Sequence, residues 1–281
     1  MGRFSRGWAL AGQSWRVLKS DRSLVVFPVL SATFSTIVAA LIFLPAAVVE
    51  GLFAGGAQSN ENSPVIAAAI VAVMYISTFI AIYFNVALAA CAVRSLQGED
   101  TSVGYGISAA TSRLGAILGW SLIAATIGLV LRVLRDRLPI AGQIAVALVG
   151  AAWSVATFFV IPIIALEGQG PWQSLKRSVT IIKARWGESA VGGATISLAS
   201  TLIGVAVVIV SVAGAIALVS VGLQVLGFAL VAVGAVAVLV VTAVSTALSQ
   251  IFRVAVYQFA VTEQTPRGFD GEMLQGAFSR R

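Results

Sequence analysis

Few side chains in this sequence have the types and spacing that chemistry needs. Glu99 and Asp100 are two carboxylates, as an acid–base pair requires, but adjacent residues on a helix do not face each other, so they read as a turn and helix cap. Arg132, Arg135 and Arg137 have the charge to draw an external anion. With Asp136 among them as a local counter-charge, they read instead as a solvated cluster. Cys91 is the sole cysteine and lies in an apolar run, which makes it a small buried side chain rather than a reactive thiol. The run Gly51-Leu52-Phe53-Ala54-Gly55-Gly56 lacks the Gly-Lys-Ser/Thr ending of a phosphate-binding loop. Histidine is absent, and with it the usual proton shuttle and the commonest metal ligand. The expectation is a non-enzymatic protein with no catalytic residues, no cofactor, no metal site and no nucleic-acid partner.

A different kind of site emerges from the tryptophans. Phe4, Trp8, Ala11, Trp15 and Leu18 recur at steps of four and three, while Arg6, Gln13, Arg16 and Lys19 fall on other faces. Trp172, Leu175, Val179, Ile182 and Trp186 repeat the arrangement, with Gln173, Lys176, Arg177 and Lys183 polar and Pro171 suited to a first turn. Helices of this length are too short to cross a bilayer; they lie in its interface, Trp among the headgroups and Lys or Arg on phosphates. Trp8, Trp15, Arg16, Lys19, Trp172, Lys176, Arg177, Lys183 and Trp186 are therefore the expected contacts to anionic lipid. Setting Ser14 on Ser178 pairs Trp8 with Trp172, Ala11 with Leu175, Trp15 with Val179, Leu18 with Ile182 and Lys19 with Lys183. A weaker third copy surrounds Ser108, with Tyr105 before it and Arg113 after it.

The elements that position these residues follow from composition. Hydrophobic side chains make up 59% of the 281 residues and charged ones 10%, far below the roughly 25% of soluble domains. Such a chain cannot build a charged shell, so its solvent is the bilayer. A span needs about 20 apolar residues free of charge. Uncharged gaps occur at 23–49, 62–93, 114–131, 138–166 and 189–252; the last would make one helix of about 96 Å and must fold back, the turn falling at 220–227. The chain reads as one all-α transmembrane domain over 1–281. Its six spans are 24–49, 65–93, 114–131, 139–166, 191–219 and 228–252. Interfacial helices at 3–20, 101–112 and 171–187 precede the three hairpins as an internal threefold repeat, and a cytoplasmic tail occupies 253–281. The first apolar stretch is too long for a signal peptide and reads as a retained span.

With both termini cytoplasmic, fifteen of the 18 basic residues lie inside, the exceptions being Arg132, Arg135 and Arg137. Removing the span at 114–131 would leave only ten inside, so six spans satisfy the positive-inside rule better. Within the spans the strong polar groups are Asn85, Gln143 and Gln224. Asn85 reads as an interhelical hydrogen-bonding residue, and Gly115 with Gly119 as a small-residue packing pair that also suits a homo-oligomer or a membrane-protein partner.

The stretch carrying Phe84-Asn85, Leu96-Gln97-Gly98-Glu99-Asp100, Arg113 and Trp120 resembles a family of uncharacterised bacterial and archaeal six-span membrane proteins. The ending Gly268-Phe269-Asp270, then Met273-Leu274 and Ala277-Phe278, looks like the cytoplasmic tail of that group. Residues 161–186 are similar to the membrane domains attached to some glycerophosphodiester phosphodiesterases, in which a span, a Gly-Pro pair and a basic amphipathic helix follow one another. The resemblance implies a six-span fold in a prokaryotic inner membrane. It does not carry over the phosphodiesterase activity, because nothing here matches that enzyme's metal-binding Glu, Asp and His. The functional expectation is lipid or partner contact by the Trp-containing helices, with a carrier of an amphipathic or lipidic substrate as the alternative.

Overall fold

In a computed structural model, residues 3–21, 23–49, 63–185 and 192–270 are described. Every element among them is helical: α1 Arg3–Ser20, α2 Ser23–Val49, α3 Pro64–Gln97, α4 Val103–Thr111, α5 Leu114–Arg137, α6 Ile140–Ala156, α7 Val160–Leu166, α8 Pro171–Arg185, α9 Gly192–Ser220 and α10 Gln224–Thr262. Six stretches are long and apolar enough to cross a membrane: α2, α3, α5, α6 with α7, α9 and α10. They bury little of themselves within the protein; Ile140 is 78% and Val225 81% exposed. Apolar surface on that scale is not left to water, and lipid is the solvent that suits it.

The helix ends depart from the charge gaps in four places. α5 does not stop at Leu131 but carries Arg132, Arg135, Asp136 and Arg137 on its last turns. The stretch at 139–166 is not one helix, because the chain breaks at 157–159 between α6 and α7. The turn after α9 is confined to 221–223, where Gly222 has φ +83°, and Gly227 lies inside α10. α10 then runs past Arg253 to Thr262, so the tail begins ten residues later than the charges imply. A charge disfavours hydrocarbon but leaves the backbone ladder intact, and a helix ends where its last carbonyls find other donors. At the ends of α3, α7 and α10 the chain turns through the left-handed region, at Gly98 (φ +83°), Gly168 (φ +65°) and Glu263 (φ +59°).

The structure has two compact units. The first comprises Met1–Val29, Cys91–Val103 and Ile181–Arg281. Here α9 and α10 pack through small residues. Gly234 lies against the Ser211 hydroxyl, and a Cβ on Gly227 would come within 3.1 Å of the Ala215 carbonyl oxygen. Such close approach is how helices associate where apolar burial offers no net gain over lipid. α1 packs on both. Asp21 links α1 to α2: its Oδ1 accepts the Ser23 amide (3.0 Å) and hydroxyl (2.6 Å), and its other oxygen accepts the Thr101 hydroxyl. The segment after α10 crosses the end of α3, the Arg267 amide donating to the Leu96 carbonyl (3.1 Å) and its guanidinium lying on Gly98. It then reaches α1, where the Asp270 amide donates to Gln13 Oε1 (3.4 Å).

The second unit comprises Leu30–Ala90 and Gly104–Thr180. Phe34 of α2 stacks on Phe84 of α3 with centroids 5.8 Å apart. Tyr75 of α3 shares a hydrogen bond with Thr126 of α5 (2.8 Å), and Tyr83 another with Thr111 of α4 (2.8 Å). Each interhelical bond of this kind contributes about 0.6 kcal/mol in a bilayer. Trp120 of α5 stacks on Trp153 of α6 at 5.9 Å.

Candidate functional site

α1 turns a mixed face inward. Gln13, Ser14, Val17 and Leu18 are buried, while Trp15, Arg16 and Lys19 are exposed. At 100° per residue the buried set occupies one arc of the helix and the exposed set the arc opposite. The sequence pattern put Gln13 on the polar face, and the structure buries it; Trp15, of the apolar stripe, faces away from the protein. Gln13 has a partner in the protein, the Asp270 amide, so its burial is compensated. Trp15 is left outward at 42% exposure with the Lys19 ammonium 5.8 Å above its ring.

α8 is built the same way. Ser174, Ser178 and Ile181 form its buried spine, at spacings of four and three. Trp172, Lys176 and Lys183 stand on the opposite side, all exposed, with the Lys176 ammonium 5.8 Å over the Trp172 ring. The Ser174 hydroxyl donates to the Gln169 carbonyl at 3.2 Å. The Ser178 hydroxyl donates to the Ala156 carbonyl (2.7 Å) and accepts the Phe159 amide (3.2 Å). It therefore serves both sides of the break between α6 and α7, whose groups no longer satisfy each other.

The basic residues of α8 are not equivalent. Arg177 is 3.3 Å from Glu167, whose other oxygen accepts a hydrogen bond from the Gln169 side-chain Nε2 at 2.7 Å. Beside this pair the Arg113 guanidinium lies on Gly168, and the Pro171 ring packs on Gly119, where a Cβ would approach within 2.7 Å. Arg177 and Arg113 thus fasten the α7–α8 connection, while Lys176 and Lys183 face outward. Of the packing pair on α5, Gly119 meets Pro171 and nothing lies within 4 Å of a Cβ at Gly115.

The structure groups Trp15, Arg16 and Lys19 on one exposed face, and Trp172, Lys176 and Lys183 on another. Trp186, the side chain of Trp8, the 51–56 run and the tail motif at 273–278 lie outside the described residues. Asn85 is half-buried within α3. Gln143 is in the first turn of α6, donating to the Leu138 carbonyl at 3.1 Å, and Gln224 opens α10. Of the alignment positions, Ser14 and Ser178 are both fully buried, whereas Ser108 is exposed. The buried serines carried the alignment of α1 with α8, yet the bonds Ser178 makes are not visible in a pattern that scores Ser as polar and outward. Among the described residues no three His, Cys, Asp or Glu converge as a metal site.

No match is found among curated proteins or among solved structures. A family model described as a family of unknown function (DUF6159) matches residues 65–269, which runs from α3 through α10 to Phe269 and takes in well over half of the chain. The chain belongs to that family, DUF6159.

Proposed function

We propose that this is a non-enzymatic, multi-pass protein of a prokaryotic inner membrane, both termini cytoplasmic, whose helices α1 and α8 lie in the interface and hold anionic lipid or a membrane partner. The observation that carries the reading is the repeated outward pair of a Trp and a Lys four residues later, Trp15 with Lys19 and Trp172 with Lys176. Both sit on helices too short to cross, opposite faces already occupied by the protein. An exposed indole beside an ammonium suits the headgroup layer, the ring lying among glycerol groups and the cation on phosphate.

The test is lipid carried through purification. Changing Lys19, Lys176 and Lys183 together to Gln is expected to reduce phosphatidylglycerol retained by the full chain while leaving phosphatidylcholine unchanged. Unaltered phosphatidylglycerol overturns the lipid reading.

A carrier of a lipidic substrate is the second reading, favoured by one observation. α9 and α10 enclose an apolar groove of about 430 Å³ lined by Val212, Ile216, Val219, Phe228 and Val231, with Ser220 its one polar side chain. A groove of that character takes an acyl chain. Movement of a fluorescent phospholipid between leaflets of proteoliposomes, slowed by Gly227→Leu, supports this reading; no movement above protein-free vesicles rejects it.

A further inference from the structure

We propose that Arg132 and Arg135, at the end of α5 remote from α8, hold the phosphate of a phospholipid headgroup, with Arg137 adding positive charge from another face of the same helix end. This site is separate from the Trp and Lys faces of α1 and α8 and stands on different observations.

The length of α5 sets the depth of the cluster. Its uncharged part, 114–131, is 18 residues, about 27 Å at the helical rise, close to the roughly 30 Å of a hydrocarbon core. The helix continues unbroken to Arg137, about 9 Å farther, which is the depth of the headgroups. Its start is fastened near α8, by Pro171 on Gly119 and Arg113 on Gly168. One phosphate cannot serve both ends of a helix about 36 Å long.

The arginines also lack the counter-charge that the sequence offers them. All three are exposed. Arg94 pairs with Glu99 and Arg177 with Glu167, whereas among the described residues Asp136 forms no ion pair with any of the three arginines. Like charges three residues apart on a helix repel, and an anion between them reverses the sign. Favourable interaction with the helix C-terminus suits Arg135 and Arg137 in the last turn, but not Arg132 a turn earlier.

Arg132 and Arg135 share a face and present two planar forks, the geometry that binds phosphate oxygens in pairs. The surroundings choose the source of that phosphate. Leu118, Leu122 and Val130, on the uncharged part of α5 within the depth of the chains, are all exposed. A free anion gains nothing from them, whereas a phospholipid lays its chains against them while its phosphate meets the guanidiniums.

The experiment uses the full chain in asymmetric vesicles, its orientation set by protease access to the C-terminus. Phosphatidylglycerol confined to the leaflet that meets the end of α5 is expected to raise the unfolding temperature of the wild type and of the Lys19, Lys176 and Lys183 to Gln variant alike. Changing Arg132, Arg135 and Arg137 to Gln is expected to abolish that shift and weaken phosphatidylglycerol binding about tenfold, while Lys at the three positions retains part of it. The proposal is overturned if the Gln variant keeps the full shift, or if inorganic phosphate alone reproduces it. Failure of the α1 and α8 reading would show separately, as no response to phosphatidylglycerol in the opposite leaflet.

Discussion

The hydroxyl of Ser178 on α8 accepts the amide of Phe159 at 3.2 Å, and the same oxygen donates to the Ala156 carbonyl at 2.7 Å. Ser178→Ala strands a buried donor and a buried acceptor, and the expected loss is about 2 kcal/mol. Thermal unfolding in detergent measures it, beside Thr180→Ala on the exposed side of α8, which should change little. Equal melting of Ser178→Ala and wild type refutes the bridge.

Glycine is required at two of the chain's turns for two reasons at once. Gly168 and Gly98 have positive φ, and each carries an arginine guanidinium, Arg113 or Arg267, where a Cβ would go. Alanine at either is expected to cost about 1–2 kcal/mol from the backbone alone, with more from displacing the arginine. Gly115, beside which nothing approaches, should accept alanine with no loss. A melting series of the three variants sorts them, and a penalty at Gly115 equal to that at Gly168 contradicts the packing.

Neighbouring cations on α8 should part company when neutralised. Arg177→Gln breaks a half-exposed pair with Glu167, an effect of up to about 1 kcal/mol that fades in high salt, and retained lipid should stay constant. Lys176→Gln should do the reverse, leaving stability in place and lowering bound phosphatidylglycerol. Lipid analysis and melting on the same preparations decide between the two residues.

Orientation is open to a direct check. Reporters fused after Leu138 and Gln224 should read as external, and those after Ser102, Lys176 and the C-terminus as cytoplasmic. A cytoplasmic signal after Leu138 would remove the span at α5.

Charge gaps located the six long apolar stretches because the cost of a buried charge is large and local. They missed the helix ends because a charge does not stop a helix: Arg132 and Arg253 both lie within continuous helix. The break at 157–159 falls in Thr157-Phe158-Phe159, which contains no Gly or Pro; the groups it frees are answered by Ser178, 19 residues beyond Phe159, and no local pattern contains that partner. Which side of α1 and α8 meets the protein was not legible in the pattern. Hydrophobic periodicity marks an apolar stripe but not what covers it, and at a membrane polar groups gain more from protein partners while tryptophan loses nothing by facing out. The Ser14 and Ser178 correspondence was legible as a match, although the pattern did not identify serine as the inward residue.

Attachment through serines gives α8 a register. A helix resting on an oily face can slide or roll with gradual loss, since contact of that kind has no direction. A hydroxyl aimed at one carbonyl and one amide has a single setting. Advancing α8 by one residue would rotate Ser178 by about 100° and forfeit both bonds together. Trp172, Lys176 and Lys183 are consequently indexed to the main chain at 156–159, like teeth cut on a shaft that admits one key position.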